Sequence, residues 1–92
     1  MDQIACQLRC VGKVQGVFYR KSTQEKAVSL GLTGWVKNEN NGDVLIHAEG
    51  KSAAVEALRK WCSTGPPLAM VKEVITEPAE VEEFKSFEVR YF

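Results

Sequence analysis

The sequence has one histidine, three cysteines without metal-binding spacing, and no apolar run approaching the length of a membrane span. Each shortage closes a class of function. His47 has no second ligand near it in sequence and lies far from the cysteines, so neither a zinc site nor a cysteine–histidine nucleophile is expected. It reads as a structural or surface histidine. Cys6 and Cys10 share one predicted strand about 13 Å apart, too far for a disulfide. With Cys62 they read as buried free thiols, which suits a reducing compartment. No secretory leader is visible at the N-terminus, so a cytoplasmic location without a membrane partner is expected. An excess of charge is missing too: 12 basic and 12 acidic residues cancel, which removes the electrostatic footprint of a nucleic-acid binder. Trp35 and Trp61 accordingly read as core or sheet-face residues rather than stacking platforms for bases. No linker, low-complexity tract or heptad repeat divides the chain. Its 92 residues make one domain, 1–92, with room for a single core and only a shallow site.

What is present is unevenly placed. Residues 1–37 carry Arg9, Lys13, Arg20, Lys21, Lys26 and Lys37 against only Asp2 and Glu25, and the remainder holds the compensating negative excess. Within the positive half lies Gly12-Lys13-Val14-Gln15-Gly16-Val17-Phe18-Tyr19-Arg20. Its two glycines permit a short loop in which successive N–H groups turn toward one centre. The loop follows an expected strand and feeds an expected helix, adding the positive end of a helix dipole and the guanidinium fork of Arg20. All of this attracts an oxyanion. The glycine interval itself is neither the Walker nor the dinucleotide fingerprint.

Ile4, Cys6, Leu8 and Cys10 alternate with Ala5, Gln7 and Arg9, the pattern of a strand with one buried face. Thr23, Ala27 and Leu30 then form one stripe of a helix from about Tyr19 that Gly31 ends. Thr33 to Lys37 and Asp43 to Glu49 are predicted strands around an Asn41-Gly42 turn. Ser52 caps a second helix with Val55, Leu58, Trp61 and Cys62 inside, and Gly65-Pro66-Pro67 stops it. A fourth strand is expected at Met70 to Thr76, an acidic loop at Pro78 to Glu83, and a short closing strand at Phe87 to Tyr91. The order is that of an α+β, ferredoxin-like βαββαβ sandwich. Two helices cover one face of a mostly antiparallel sheet of core order 4-1-3-2, plus the short C-terminal strand, whose edge stays open. The first two strands are parallel because a helix joins them, so the glycine loop and Asn38 meet at one sheet edge.

Gly12 to Arg20 resembles the first signature of the acylphosphatase family, and Gly34-Trp35-Val36-Lys37-Asn38 with Gly42 and Val44 resembles its second. The resemblance covers essentially the whole chain. It implies hydrolysis of the carboxyl–phosphate bond of small acyl phosphates to carboxylate and inorganic phosphate, without a cofactor or metal. At the matching positions Arg20 would hold the phosphoryl group and Asn38 would position the attacking water. Gly12 and Gly16 would shape the loop, and Val14, Gln15, Val17, Phe18 and Tyr19 would offer backbone N–H groups. Phe18-Tyr19 departs from the commoner Gly-Phe or Phe-Phe pairing, and the Tyr19 hydroxyl needs a partner. Glu39 would repel an anion unless strand alternation turns it away. A monomer is expected. The rival readings are a non-catalytic phosphate- or acyl-phosphate-binding module of the same fold, an accessory domain like those at the front of larger maturation enzymes, and an interaction protein using strand addition. Lys72, Glu73 and Arg90 argue against the last.

Overall fold

The alternating N-terminal segment becomes β1 (Gln3–Lys13) in a computed structural model that describes residues 3–91. After it come α1 (Tyr19–Ser29), β2 (Thr33–Asn38), β3 (Val44–Lys51), α2 (Ser52–Cys62), β4 (Met70–Ala79) and β5 (Phe87–Arg90). The sheet order is β4-β1-β3-β2-β5. β1 runs antiparallel to β3 and β4, β2 antiparallel to β3, and β5 joins the β2 edge in parallel. β1 and β2 therefore point the same way, and both end at one edge of the molecule.

Both helices lie on one face. α1 packs against β2 and β5 and α2 against β1, β3 and β4, over a core that includes Leu8, Cys10, Val36, Val44, Ile46, Leu58 and Cys62. α1 buries only Tyr19, Thr23 and Ala27, and Gly31, at φ 75°, lets the Leu32 N–H close on the Ala27 carbonyl at 2.9 Å. Gly34 permits the closest approach in the sheet. A Cβ there would sit 1.8 Å from the His47 carbonyl oxygen, so any side chain would force β2 and β3 apart.

Several boundaries differ from expectation. β3 continues through Gly50 and Lys51, paired with Ile4 and Gln3, and passes straight into α2, so Lys51 rather than Ser52 occupies the N-cap position. β4 runs on through Pro78 to Ala79, so the acidic loop starts later than predicted. Proline is tolerated because β4 is an edge strand: Pro78 faces Cys6 where its missing N–H points to solvent. β5 stops at Arg90, leaving Tyr91 outside it.

His47 is not a surface residue. Along β3, Val44, Ile46 and Ala48 face the helices while His47 and Glu49 occupy the opposite face, both fully covered. The His47 ring stacks on Trp35 at 5.8 Å, and its Nε2 lies 2.8 Å from Glu49 Oε2. Residues 80–86 make the cover, crossing from the β4 edge to the β5 edge. Glu83 adopts φ 61°, which turns the N–H groups on either side of it inward. Glu82 N–H donates to Glu49 at 2.5 Å and Phe84 N–H at 3.2 Å, and Phe84 packs edge-on to His47.

Burial alone would raise the Glu49 pKa, but the bonds from Glu82, His47 and Phe84 together hold it below the ordinary value of 4.5. A depressed folded-state pKa means that Glu49 stabilises the fold fully above the unfolded value and loses that contribution as acid protonates it. Glu49→Gln is expected to cost about 2–4 kcal/mol at pH 7, with the gap to the native protein closing below the ordinary glutamate pKa of about 4.5. Urea titrations at several pH values read this directly, and a gap independent of pH would contradict it.

Candidate active site

Between β1 and α1 the chain must turn within residues 14–18, and apolar side chains decide which way the turn faces. Val14 and Val17 are buried, so they anchor the loop in the core and leave its backbone toward the outside. Val14 N–H is spent on the Gly12 carbonyl at 3.1 Å. Among the described residues, none of the backbone N–H groups of residues 15–20 donates a hydrogen bond. α1 begins with no side-chain cap and no acidic residue in its first turn. A row of unspent donors at an uncapped helix start is a site for an anion.

Gly12, expected in this loop, instead lies in β1, at an irregularity in its pairing with β4. A Cβ there would be 2.3 Å from the Met70 carbonyl oxygen, so its work is to admit β4. Gly16, at φ 75°, does belong to the loop. Phe18 takes the left-handed conformation as well, with φ 63° and ψ 23°, which costs a residue with a side chain about 1 kcal/mol. Tyr19 turns inward, where its hydroxyl donates to the Cys62 carbonyl at 2.6 Å. Burial drives its pKa far above the ordinary phenol range, so it stays a protonated donor.

Arg20, in the first turn of α1, is held by the far end of the chain. Its Nη1 donates to the Arg90 carbonyl at 3.1 Å, and its guanidinium carbon lies 4.7 Å from the centre of the Tyr91 ring. That fixes one arm of the fork and leaves the other donors for a ligand. Asn38 ends β2, paired with Val44, and its buried Oδ1 has no hydrogen-bond partner among the described residues. Arg20 and Asn38 line a single open cleft of about 660 Å³ together with Gly16, Phe18 and Tyr91.

The loop and the β2–β3 turn are tied by one side chain. Gln15 Nε2 donates to the Glu39 carbonyl at 2.8 Å and to the Asp43 carbonyl at 2.9 Å. Glu39 turns away from the cleft: its carboxylate meets Arg9 at 3.3 Å and Lys37 at 3.8 Å. Asn41 forms the tight turn, its Oδ1 accepting from Asp43 N–H at 3.0 Å. The sequence points to Gln15 for its backbone alone, and a lone amide in a loop carries no signal of such a brace. Gln15→Glu would set a carboxylate against two carbonyl oxygens. Turnover is expected to fall about tenfold or more at pH 8 and to recover partly on acidification, because the protonated acid can donate again. Steady-state rates across pH check this, and a loss unaffected by pH would show that Gln15 does not brace the turn.

Among the described residues no three His, Cys, Asp or Glu side chains are grouped to hold a metal ion. Beside Lys21, Gln24 and Glu88, the cleft offers the permanent cation of Arg20, unspent amide donors and the neutral amide of Asn38. That set can neutralise and align an oxyanion.

The acylphosphatase family model matches residues 6–89. An acylphosphatase from Nitrosococcus oceani is 49% identical over 85 residues, spanning 90% of this chain and 96% of its own. An acylphosphatase structure from Coxiella burnetii superposes with a TM-score of 0.94 at 43% identity, covering 97% of this chain and 94% of that one. The Bacillus subtilis acylphosphatase structure gives 0.93 at 30% identity, covering 96% and 99%.

Proposed function

The chain belongs to the acylphosphatase family, and from that premise we propose that it cleaves small acyl phosphates by in-line attack of a water positioned by Asn38, with the phosphoryl group held on Arg20 and the amides of its glycine loop. The substrate is an acyl phosphate and one product is inorganic phosphate. The observation that carries the mechanism is the shared cleft, in which Arg20, the unspent N–H groups at the start of α1 and the unsatisfied acceptor of Asn38 all meet.

The chemistry asks for little more. Carboxylate is already a stable leaving group, so breaking the P–O bond calls for charge stabilisation and alignment rather than a strong acid or base. Arg20 and the loop amides answer the developing negative charge. Asn38 Oδ1 can accept a hydrogen bond from the water while its NH₂ donates to a phosphate oxygen, which holds the nucleophile in line without ionising. The water's proton passes to a phosphate oxygen of the substrate. Glu88 lines the cleft too, on the exposed side of β5, and has no part in this scheme.

The test is hydrolysis of benzoyl phosphate with a chelator present, followed across pH. Turnover is expected to persist with the chelator and kcat to show no enzyme group titrating near neutrality. A bell-shaped profile centred near pH 7 would replace this mechanism with general acid–base catalysis. Among the described residues no helix is long and apolar enough to cross a membrane. The buried free thiols fit a cytoplasmic protein, and we read it as a monomer, to be checked by light scattering against 10.2 kDa.

A further inference from the structure

Two aromatic rings stand at the mouth of the cleft with most of their surface in solvent. Phe18 is 74% exposed and Tyr91 75%, and both line the cleft that holds Arg20 and Asn38. Large exposed apolar side chains usually need no explanation one by one. Phe18 is different, because its backbone is strained as well. At φ 63° glycine would hold the same turn without cost, yet the chain keeps a phenyl ring that contributes little to the core. A residue disfavoured on both counts and placed at a binding cleft points to a role in binding. Tyr91, for its part, lies with its ring over the Arg20 guanidinium, so a phosphoryl group on Arg20 has an aromatic surface beside it.

We propose that Phe18 and Tyr91 form an acyl subsite that favours acyl phosphates with a planar aromatic or bulky apolar acyl group over the smallest ones. This rests on the phosphoryl group being held by Arg20 as described above. With the phosphate fixed there, the acyl portion leaves the cleft past these two rings, and a flat apolar group covers them while a methyl group does not. One ring-to-ring contact of this kind corresponds to roughly a five- to tenfold preference. The preference is modest, so small acyl phosphates remain substrates. The contact exists equally in the ground and transition states, so it lowers KM rather than raising kcat.

The experiment compares kcat/KM for benzoyl phosphate and acetyl phosphate in the native enzyme, Phe18→Gly, Phe18→Ala and Phe18→Tyr. The benzoyl-to-acetyl ratio removes any change in turnover common to both substrates and any difference in their intrinsic reactivity. It is expected to fall about five- to tenfold in Phe18→Gly and Phe18→Ala, through KM for benzoyl phosphate, and to stay near native in Phe18→Tyr. Phe18→Gly relieves the backbone strain and Phe18→Ala keeps it, so a fall in both assigns the effect to the ring. An unchanged ratio in both, with each substrate still hydrolysed, overturns the subsite and leaves the catalytic reading standing. No hydrolysis of either substrate by the native protein overturns both.

Discussion

Arg20→Ala is expected to lower turnover of acyl phosphates by about 10³- to 10⁵-fold, the scale of removing an arginine that carries transition-state charge on a transferring phosphoryl group. The same change should abolish competitive inhibition by inorganic phosphate if, as proposed, the product is held by the same fork. Two features distinguish this from the loss of an ordinary surface arginine. Arg20 sits in the first turn of α1 beside amides with no other acceptor, and one arm of its fork is already fixed by the Arg90 carbonyl. Arg20→Lys keeps the charge but replaces the planar fork with a point donor that cannot hold the carbonyl and two phosphate oxygens together. Its activity should fall between native and alanine, closer to alanine. Circular dichroism would confirm the fold. Near-native turnover by a folded Arg20→Ala protein would remove Arg20 from the mechanism.

Asn38→Ala should produce a different pattern. A residue that aligns the water acts mainly in the transition state, so kcat is expected to drop about 10²- to 10³-fold while KM and phosphate inhibition change little. Asn38 is the last residue of β2, and its side-chain oxygen has no partner among the described residues, so truncation breaks no hydrogen bond described there and stability should be nearly preserved. The pair of variants is therefore more informative than either one. Arg20→Ala loses binding and chemistry together, and Asn38→Ala loses chemistry alone. Equal losses of phosphate affinity in both would mean that Asn38 grips the phosphoryl group and does not orient water.

The two halves of the cleft are legible in the sequence because each is written in consecutive residues. Gly16 to Arg20 needs only a strand before it and a helix after it to become a cradle, and Gly34 to Asn38 needs only a turn to stop at the right place. The crossover helix then makes β1 and β2 parallel, which brings the two segments to one edge without further information. What supports them is not local. The Gln15 brace depends on carbonyls presented by the β2–β3 turn, and the hold on Arg20 depends on the final strand choosing the β2 edge. Glu49 is the clearest case. On a strand that alternates buried and exposed positions, a glutamate marks the solvent side, and the surface alternative left open for His47 follows the same logic. Residues 80–86 overturn it by covering that side from far downstream, with Glu83 in a backbone conformation that nothing in its sequence announces. Pro78 misleads in the opposite sense, marking the end of β4 where the strand in fact continues, because an edge position excuses its missing donor.

The bond from Arg20 to the Arg90 carbonyl joins residues 70 apart in the chain. Synthesis runs from the N-terminus, so the glycine loop, Arg20 and Asn38 are all made while the residue that steadies Arg20 is still to come. A nascent chain held on the ribosome with β5 not yet emerged can pair β1 with β3 and β4 and still lack the anchor that points its arginine. If Arg20 holds the phosphoryl group as proposed, catalytic competence arrives once β5 has emerged and paired with β2 rather than with formation of the core. A ribosome-tethered chain would show this as silence with β5 inside the exit tunnel and turnover once a longer tether frees it, whereas equal activity in both would mean that Arg20 needs no such anchor.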